Sequence, residues 1–175
     1  MDGDLFMKNE KLDRRKQYTR MVLKESLLDL LKEKPFSSIT VKEICTLADI
    51  NRSTFYAHYR DQYELLETIE NEIIADMEEY LHNFNIQKQE DALRMTEKLI
   101  EYFAAKHEEL EILLNVQSEP SFEEKVMKIA HQFLMTELMG HNKEGDNFSN
   151  YSSAFIISGS VEVLKMWLAS GRHES

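Results

Sequence analysis

Residues 39–66 read ITVKEICTLADINRSTFYAHYRDQYELL, and the order of their parts decides the fold. Thr40 with Glu43 makes a T-x-x-E capping box, in which a hydroxyl and a carboxylate satisfy N–H groups left free at a helix start. The helix that it opens is short and ends by Ala48, with Ile44, Leu47 and Ala48 on its inner side. Cys45 lies among them and reads as a small buried side chain rather than a reactive thiol. Asp49, Ile50 and Asn51 then break the helix, because Asp and Asn tolerate turn geometry and positive φ. Asn51 also serves as the N-cap of a third helix over about residues 52–59. Two short helices joined by so tight a turn form a helix-turn-helix.

At 100° per residue, Phe55 and Tyr59 fall on one side of the second helix and pack against its neighbours. Ser53, Tyr56 and Ala57 fall on the other side and face out, with Arg52 and Thr54 beside them at the start. That face suits a nucleic-acid duplex. A helix N-terminus favours phosphate, and an Arg there can reach guanine O6 and N7. Small Ser53 and Ala57 let the backbone approach the bases, while Tyr56 and His58 carry polar tips suited to phosphate oxygens. Charge agrees once it is split. The chain carries 21 Lys/Arg against 32 Asp/Glu, but residues 1–60 hold 12 against 9 and residues 61–175 hold 9 against 23. A basic head on an acidic body is the balance of a DNA-reading domain on a regulatory one, since local charge sets the phosphate footprint.

Outward from this motif the chain reads as helix throughout. Only 5 Gly and 2 Pro punctuate 175 residues, too few for a sandwich or barrel with frequent turns. Residues 14–34 place Tyr18, Val22, Leu27, Leu30 and Leu31 near one stripe, and Pro35 stops that helix. Asp61 with Glu64 starts a long helix to about Phe84, on which Leu65, Leu66, Ile69, Ile73, Met77, Tyr80 and Leu81 recur at steps of three and four. NIQKQED reads as a loop, followed by helices at about 92–107 and 108–115. Ser121 with Glu124 caps another that runs to Leu138, GHNKEGDN is a loop, and the last helix covers about 148–170 before Gly171. The expectation is an all-α chain. A head at 1–60 with an N-terminal arm is joined to a helical body at 61–175, residues 61–84 forming the connecting helix.

Several function classes fall away. No G-x-G-x-x-G, G-K-[ST], H-E-x-x-H or G-x-S-x-G occurs, so no enzyme and no cofactor is expected. The pairs Glu78/His82, His107/Glu111 and Glu137/His141 offer two ligands each, too few for a metal site. One Cys leaves no internal disulfide and fits a reducing compartment. The start, MDGDLFMKNEKLDRRK, has no apolar core of a secretory signal, and no run reaches the roughly 18 apolar residues of a membrane span. A cytoplasmic protein without a membrane partner is expected.

The stretch quoted above resembles the tetracycline-repressor (TetR/AcrR) family of bacterial transcription regulators. The family pattern is T-V-x-x-I-A-x-x-A-x-V-S-x-x-T-F-Y-x-H-F followed by a leucine pair. Thr40, Val41, Ile44, Ala48, Thr54, Phe55, Tyr56, His58, Tyr59, Leu65 and Leu66 fall on matching positions. The body looks like the branch that ends in a Trp-containing helix, here VEVLKMWLASG. The resemblance implies a DNA-binding set of Thr40, Lys42, Arg52, Ser53, Thr54, Tyr56 and His58, in which Arg52, Ser53 and Thr54 read bases and Tyr56 and His58 hold phosphates. Lys8, Lys11, Arg14, Arg15 and Lys16 would run as an arm along the backbone or form a solvated, disordered tail. Asp49 stands where many members have Gly, Cys45 where Ala is common, and Gln62 where Lys is frequent. The implied function is a regulator of transcription, a repressor, that binds a palindromic operator as a homodimer and is released by a small-molecule inducer. The alternative is a co-activator of the same fold that acts through a protein partner.

The last helix carries two apolar lines. Ala154, Ile157, Val161, Leu164 and Leu168 form one, assigned here to the dimer interface; Ile156, Ser160, Val163 and Trp167 form the other. Relatives pair through their last two helices and often continue into a further helix where this sequence ends in RHES. Either a shortened chain or a seam of fewer parts is therefore expected. Met77, Met95, Tyr102, Phe103 and Phe133 are the residues assigned to a ligand pocket, among further Met and aromatic side chains.

Overall fold

The structure, a computed structural model, describes the backbone of residues 2–82, 89–118, 120–133 and 150–170. Side chains are described from residue 14 onward in those segments, except at 89–90, 92–93 and 150–153. Among the described residues there are eight α-helices and no strand, so the chain is all-α as expected. They are α1 (Asp2–Glu33), α2 (Val41–Leu47), α3 (Arg52–Tyr56), α4 (Gln62–His82), α5 (Gln89–Ala105), α6 (His107–Asn115), α7 (Phe122–Phe133) and α8 (Asn150–Ala169). Two compact units meet inside α4, Met1–Ile69 and Glu70–Ser175. The expected boundary at 60/61 lies earlier. The first turns of α4 carry buried Leu65, Leu66 and Ile69, and they count with the head.

In the first unit α1 packs on α2, and α2 on α3. Helix α1 begins well before residue 14, so Lys8, Lys11, Arg14, Arg15 and Lys16 lie on a helix rather than on an extended arm. Its buried line is Thr19, Leu23, Ser26 and Leu27, while Tyr18 is 61% exposed. The packed stripe keeps Leu27 of the expected one but runs through Thr19 and Leu23 where Tyr18 and Val22 were expected. Thr19 fits inside because its hydroxyl donates to the Arg15 carbonyl at 2.9 Å. After Pro35 comes a 3₁₀ turn, Phe36–Ser38, which the sequence reading passed over. It turns Phe36 inward, edge-on to Tyr63 at 5.0 Å. The Thr40–Glu43 capping box is formed in both directions, and Ile44 and Cys45 are buried behind it. Leu47, expected inside, is exposed.

In the second unit α6 packs on α5, α7 and α8, and α7 on α8. The core includes Ile73, Met77, Leu81, Tyr102, Leu110, Leu113, Phe122, Val126 and Ile129. The Ser121 box opens α7: the Ser121 N–H donates to Glu124 at 3.1 Å, and the Glu124 N–H to Ser121 Oγ at 3.2 Å. Helix α5 starts at Gln89, earlier than the expected 92. Phe84, residues 134–149 and Gly171 fall outside the described residues.

Helix α8 reverses one assignment. Ile157, Val161 and Leu168, given to the dimer interface, are buried within the chain itself, with Leu164 half-buried and only Ala154 exposed. They are core, because α6 and α7 cover that side. The free apolar side is Phe155 (81% exposed), Ile156 (44%), Val163 and Met166 (65% each). Of the pocket assignment, Met77 and Tyr102 are buried, and Met95, Phe103 and Phe133 are half-buried. Tyr102 lies in side-chain packing, with the rings of Tyr80 at 5.2 Å and Phe103 at 6.0 Å.

Candidate nucleic-acid interface

The turn between α2 and α3 is held by local bonds. Ile50 N–H donates to the Cys45 carbonyl at 3.0 Å, and Asp49 takes φ 51°, a left-handed conformation that Asp accepts more readily than most residues. Asn51 then caps α3, its Oδ1 accepting from the Ser53 N–H at 2.9 Å. Helix α3 is shorter than expected, ending at Tyr56. Backbone bonds from the His58 and Tyr59 N–H groups to the Phe55 carbonyl, at 2.8 and 2.9 Å, nevertheless carry the turn through Tyr59. Phe55 and Tyr59 are thus both buried, with ring centroids 5.8 Å apart.

The opposite side presents Arg52, Ser53, Tyr56 and Ala57 to solvent, with Thr54 and His58 half-buried. Tyr56 is braced edge-on against Phe55 at 5.6 Å. Ser53 carries a constraint that the sequence reading missed. Its hydroxyl donates to Asn51 Oδ1 at 2.9 Å, so in this arrangement it offers a ligand an acceptor. On a duplex such an acceptor matches the amino groups of cytosine or adenine.

Thr40 and Lys42 are exposed, but Thr40 is already engaged, its hydroxyl donating to Glu43 at 2.8 Å. Glu43 also accepts from Lys34, and these bonds hold its carboxyl at about 2, the Lys34 bond contributing most. His58 is pushed below the ordinary histidine value by burial, and then by Arg20 and Lys16 of α1. It is therefore neutral at pH 7 and offers one N–H. Arg20 was absent from the expected set; its place one turn after Lys16 on α1 was the available signal. Gln62 is the first residue of α4, where the Asp61 carboxylate accepts the Glu64 N–H at 2.9 Å. Arg60 is drawn aside to Asp61 at 3.1 Å. The arrangement can contact a polyanion by several cations and present one acceptor and one guanidinium to base edges. Among the described residues no three metal-ligating side chains cluster, and no helix is long and apolar enough to cross a membrane.

Comparison with known proteins follows the same division. A family model described as bacterial regulatory proteins, tetR family, matches residues 25–69. A second, described as transcriptional regulator C-terminal region, matches residues 90–175. A curated relative, the uncharacterised HTH-type transcriptional regulator YxbF of Bacillus subtilis (strain 168), is 28% identical over 157 residues, 86% of this chain. The chain spans only 40% of that relative's length. A TetR transcriptional regulator from Streptococcus agalactiae 2603V is 24% identical, with a TM-score of 0.61 over 95% of this chain and 89% of its own. NalD of Pseudomonas aeruginosa, described as the secondary repressor of the MexAB-OprM multidrug efflux pump, is 14% identical, with a TM-score of 0.67 over 91% and 89%. DhaS, described as a dihydroxyacetone kinase operon activator, is 18% identical, with a TM-score of 0.53 over 87% and 85%. At these identities the solved structures share the fold.

Proposed function

We propose that this chain, which belongs to the TetR family of bacterial transcription regulators, represses its target by holding a two-fold-symmetric operator as a homodimer. DNA-binding regulation follows from the family. The observation that carries the finer reading is the two-sided α3, with Phe55 and Tyr59 sealed inside and Arg52, Ser53 and Tyr56 presented outside. In this reading Arg52 specifies a base pair, Ser53 accepts from a base amine, and Tyr56, His58, Lys16 and Arg20 hold phosphates. Lys42 and Thr54 flank that set, and Thr40 acts through the cap that orients α2. A small-molecule effector would act through the body.

The dimer is assigned to the free face of α8, Phe155, Ile156, Val163 and Met166. An apolar face of this size on a soluble chain calls for a partner, and two-fold pairing is the commonest solution. A side chain at Gly159, on the same helix, would meet nothing within 4 Å, so a second helix has room to approach there. Val163→Glu is expected to turn a dimer into a monomer in sedimentation, whereas a wild type that is monomeric at micromolar concentration contradicts the assignment. Selection of bound fragments from genomic DNA should return palindromes with half-sites about 34–36 Å apart or a multiple of that. NalD and DhaS carry opposite regulatory signs in their descriptions. A reporter placed behind a recovered site therefore decides the sign. Loss of expression on adding the protein supports repression, and a gain supports action through a protein partner.

A further inference from the structure

Asn51 caps α3, but its side chain makes two bonds where a cap needs one. Oδ1 accepts the Ser53 N–H at 2.9 Å and the Ser53 hydroxyl at 2.9 Å. Chemistry fixes the direction of both. A backbone N–H only donates, so the amide must turn its oxygen toward it, with Nδ2 facing away. An amide oxygen only accepts, so the Ser53 hydroxyl must direct its one proton there. What Ser53 then presents to solvent is lone pairs. Without the second bond a serine hydroxyl rotates, and donates or accepts as its partner requires. Asn51 is itself held in place. Its carbonyl accepts the Thr54 and Phe55 N–H groups at 2.9 and 3.0 Å, and Phe55 is fully buried. Asn51 and Ser53 are both exposed, so the pair stands on the surface that α3 offers.

We infer that Asn51 is a positioning residue for sequence specificity. By fixing the proton of Ser53, it makes α3 select a base with an exocyclic amine, cytosine or adenine, over its carbonyl counterpart, thymine or guanine. The inference rests on the proposed reading of α3 as the helix that meets base edges. In the major groove, cytosine N4 and adenine N6 donate where thymine O4 and guanine O6 accept. A free hydroxyl would serve both kinds and tell them apart poorly. One whose proton is already engaged meets thymine or guanine oxygen against oxygen, and neither acceptor then has a donor. Selectivity of this kind comes from a penalty on the wrong base. Residue 51 sets that penalty without having to touch a base itself.

The test titrates the full-length protein with the palindromic duplex recovered by selection, each half-site position being changed in turn to all four bases. At one position per half-site, wild type should prefer cytosine to thymine, or adenine to guanine, by about three- to ten-fold, the worth of one hydrogen bond. Ser53→Ala should bring that ratio within about two-fold and so identify the position. Asn51→Gly keeps a tolerated cap but lacks the acceptor. It should erase the same ratio, and should change it no further when combined with Ser53→Ala. Asn51→Asp keeps both bonds to Ser53. It should retain the ratio while weakening all sequences alike, because its charge repels phosphate. A cap that is merely structural would shift affinity or melting temperature in Asn51→Gly and leave the ratio in place, which overturns the inference. Loss of the ratio in Asn51→Asp overturns it too. So does a wild type that prefers thymine or guanine where Ser53→Ala has its effect, since the hydroxyl would then have turned on binding. A wild type without any sequence preference counts against the proposed function. A preference that Ser53→Ala abolishes and Asn51→Gly leaves untouched counts against this inference alone.

Discussion

Met1–Ile69 and Glu70–Ser175 hold their helices by bonds of different reach. In the first unit the bonds that shape the motif join near neighbours: Thr40 with Glu43, Asn51 with Ser53, Asp61 with Glu64, and Lys34 with Glu43. The second has local bonds too, such as the Ser121–Glu124 box, but adds side-chain ties that cross long stretches of sequence: Lys125 to Glu70, Lys165 to Glu123, and the Tyr102 hydroxyl to the Ile73 carbonyl and the Asp76 carboxylate. Local bonds close with little loss of chain entropy and fix a turn in one geometry, which suits side chains that must meet base edges in register. Long-range ties depend on the packing of several helices at once.

The largest expected effect tests whether each unit is built round its own core. Phe55 and Phe122 are both fully buried, one in each unit, and replacing either with Ala should cost about 3–5 kcal/mol in urea unfolding. A cost for Phe55→Ala below about 1 kcal/mol would mean that the head does not rest on that ring. Next in size is the division of labour on α3. Arg52→Ala should lose about 1–3 kcal/mol of specific binding and relax one base preference per half-site. Tyr56→Phe should weaken specific and nonspecific DNA alike. Titration of both against a panel of site variants reads the difference, and an unchanged preference in Arg52→Ala breaks the assignment.

The capping box is a smaller lever with a pH signature. Thr40→Ala should cost about 1 kcal/mol. Glu43 is held at about 2, from an ordinary 4.5, chiefly by Lys34 and then by Thr40. A carboxyl so depressed stabilises fully above its unfolded value, and that contribution is lost as pH falls through the folded one. Glu43→Gln should therefore melt lower than wild type at pH 7, and the two curves should converge as pH falls from 4.5 toward 2. Melting curves that stay equally far apart across that window would show that the ion pair and cap do not hold the turn. The smallest effect lies at Gln62. Gln62→Lys should tighten all sequences alike and steepen the slope of log K against log salt by roughly 0.9 per chain. A slope identical to wild type would set residue 62 away from the phosphates.

Much of the local structure was legible from residues alone. The boxes at Thr40 and Ser121, the break at Asp49, the cap at Asn51 and the two sides of α3 all stand where the spacing put them. The reading failed where a side chain's fate depends on a distant element. Tyr18 and Leu47 face solvent although they belong to apolar patterns, and α1 buries Thr19 and Ser26 instead. The turn at Phe36 was missed because what turns it inward is Tyr63, far along the chain.

On α8 the sequence by itself determined that two apolar lines exist. Only packing against α6 and α7 decided which of them is core, so Ile157, Val161 and Leu168 went inside and Phe155, Val163 and Met166 stayed out. Glu70 shows the same limit more sharply. At a helical position after Ile69 it reads as one more surface acid, and nothing within four residues marks it otherwise. Its burial against Lys125 required α7 to arrive from 55 residues away. Caps and helical periodicity act within about four residues and are written in the order of the letters. Which face of a helix is covered is a property of whatever the rest of the chain brings to it.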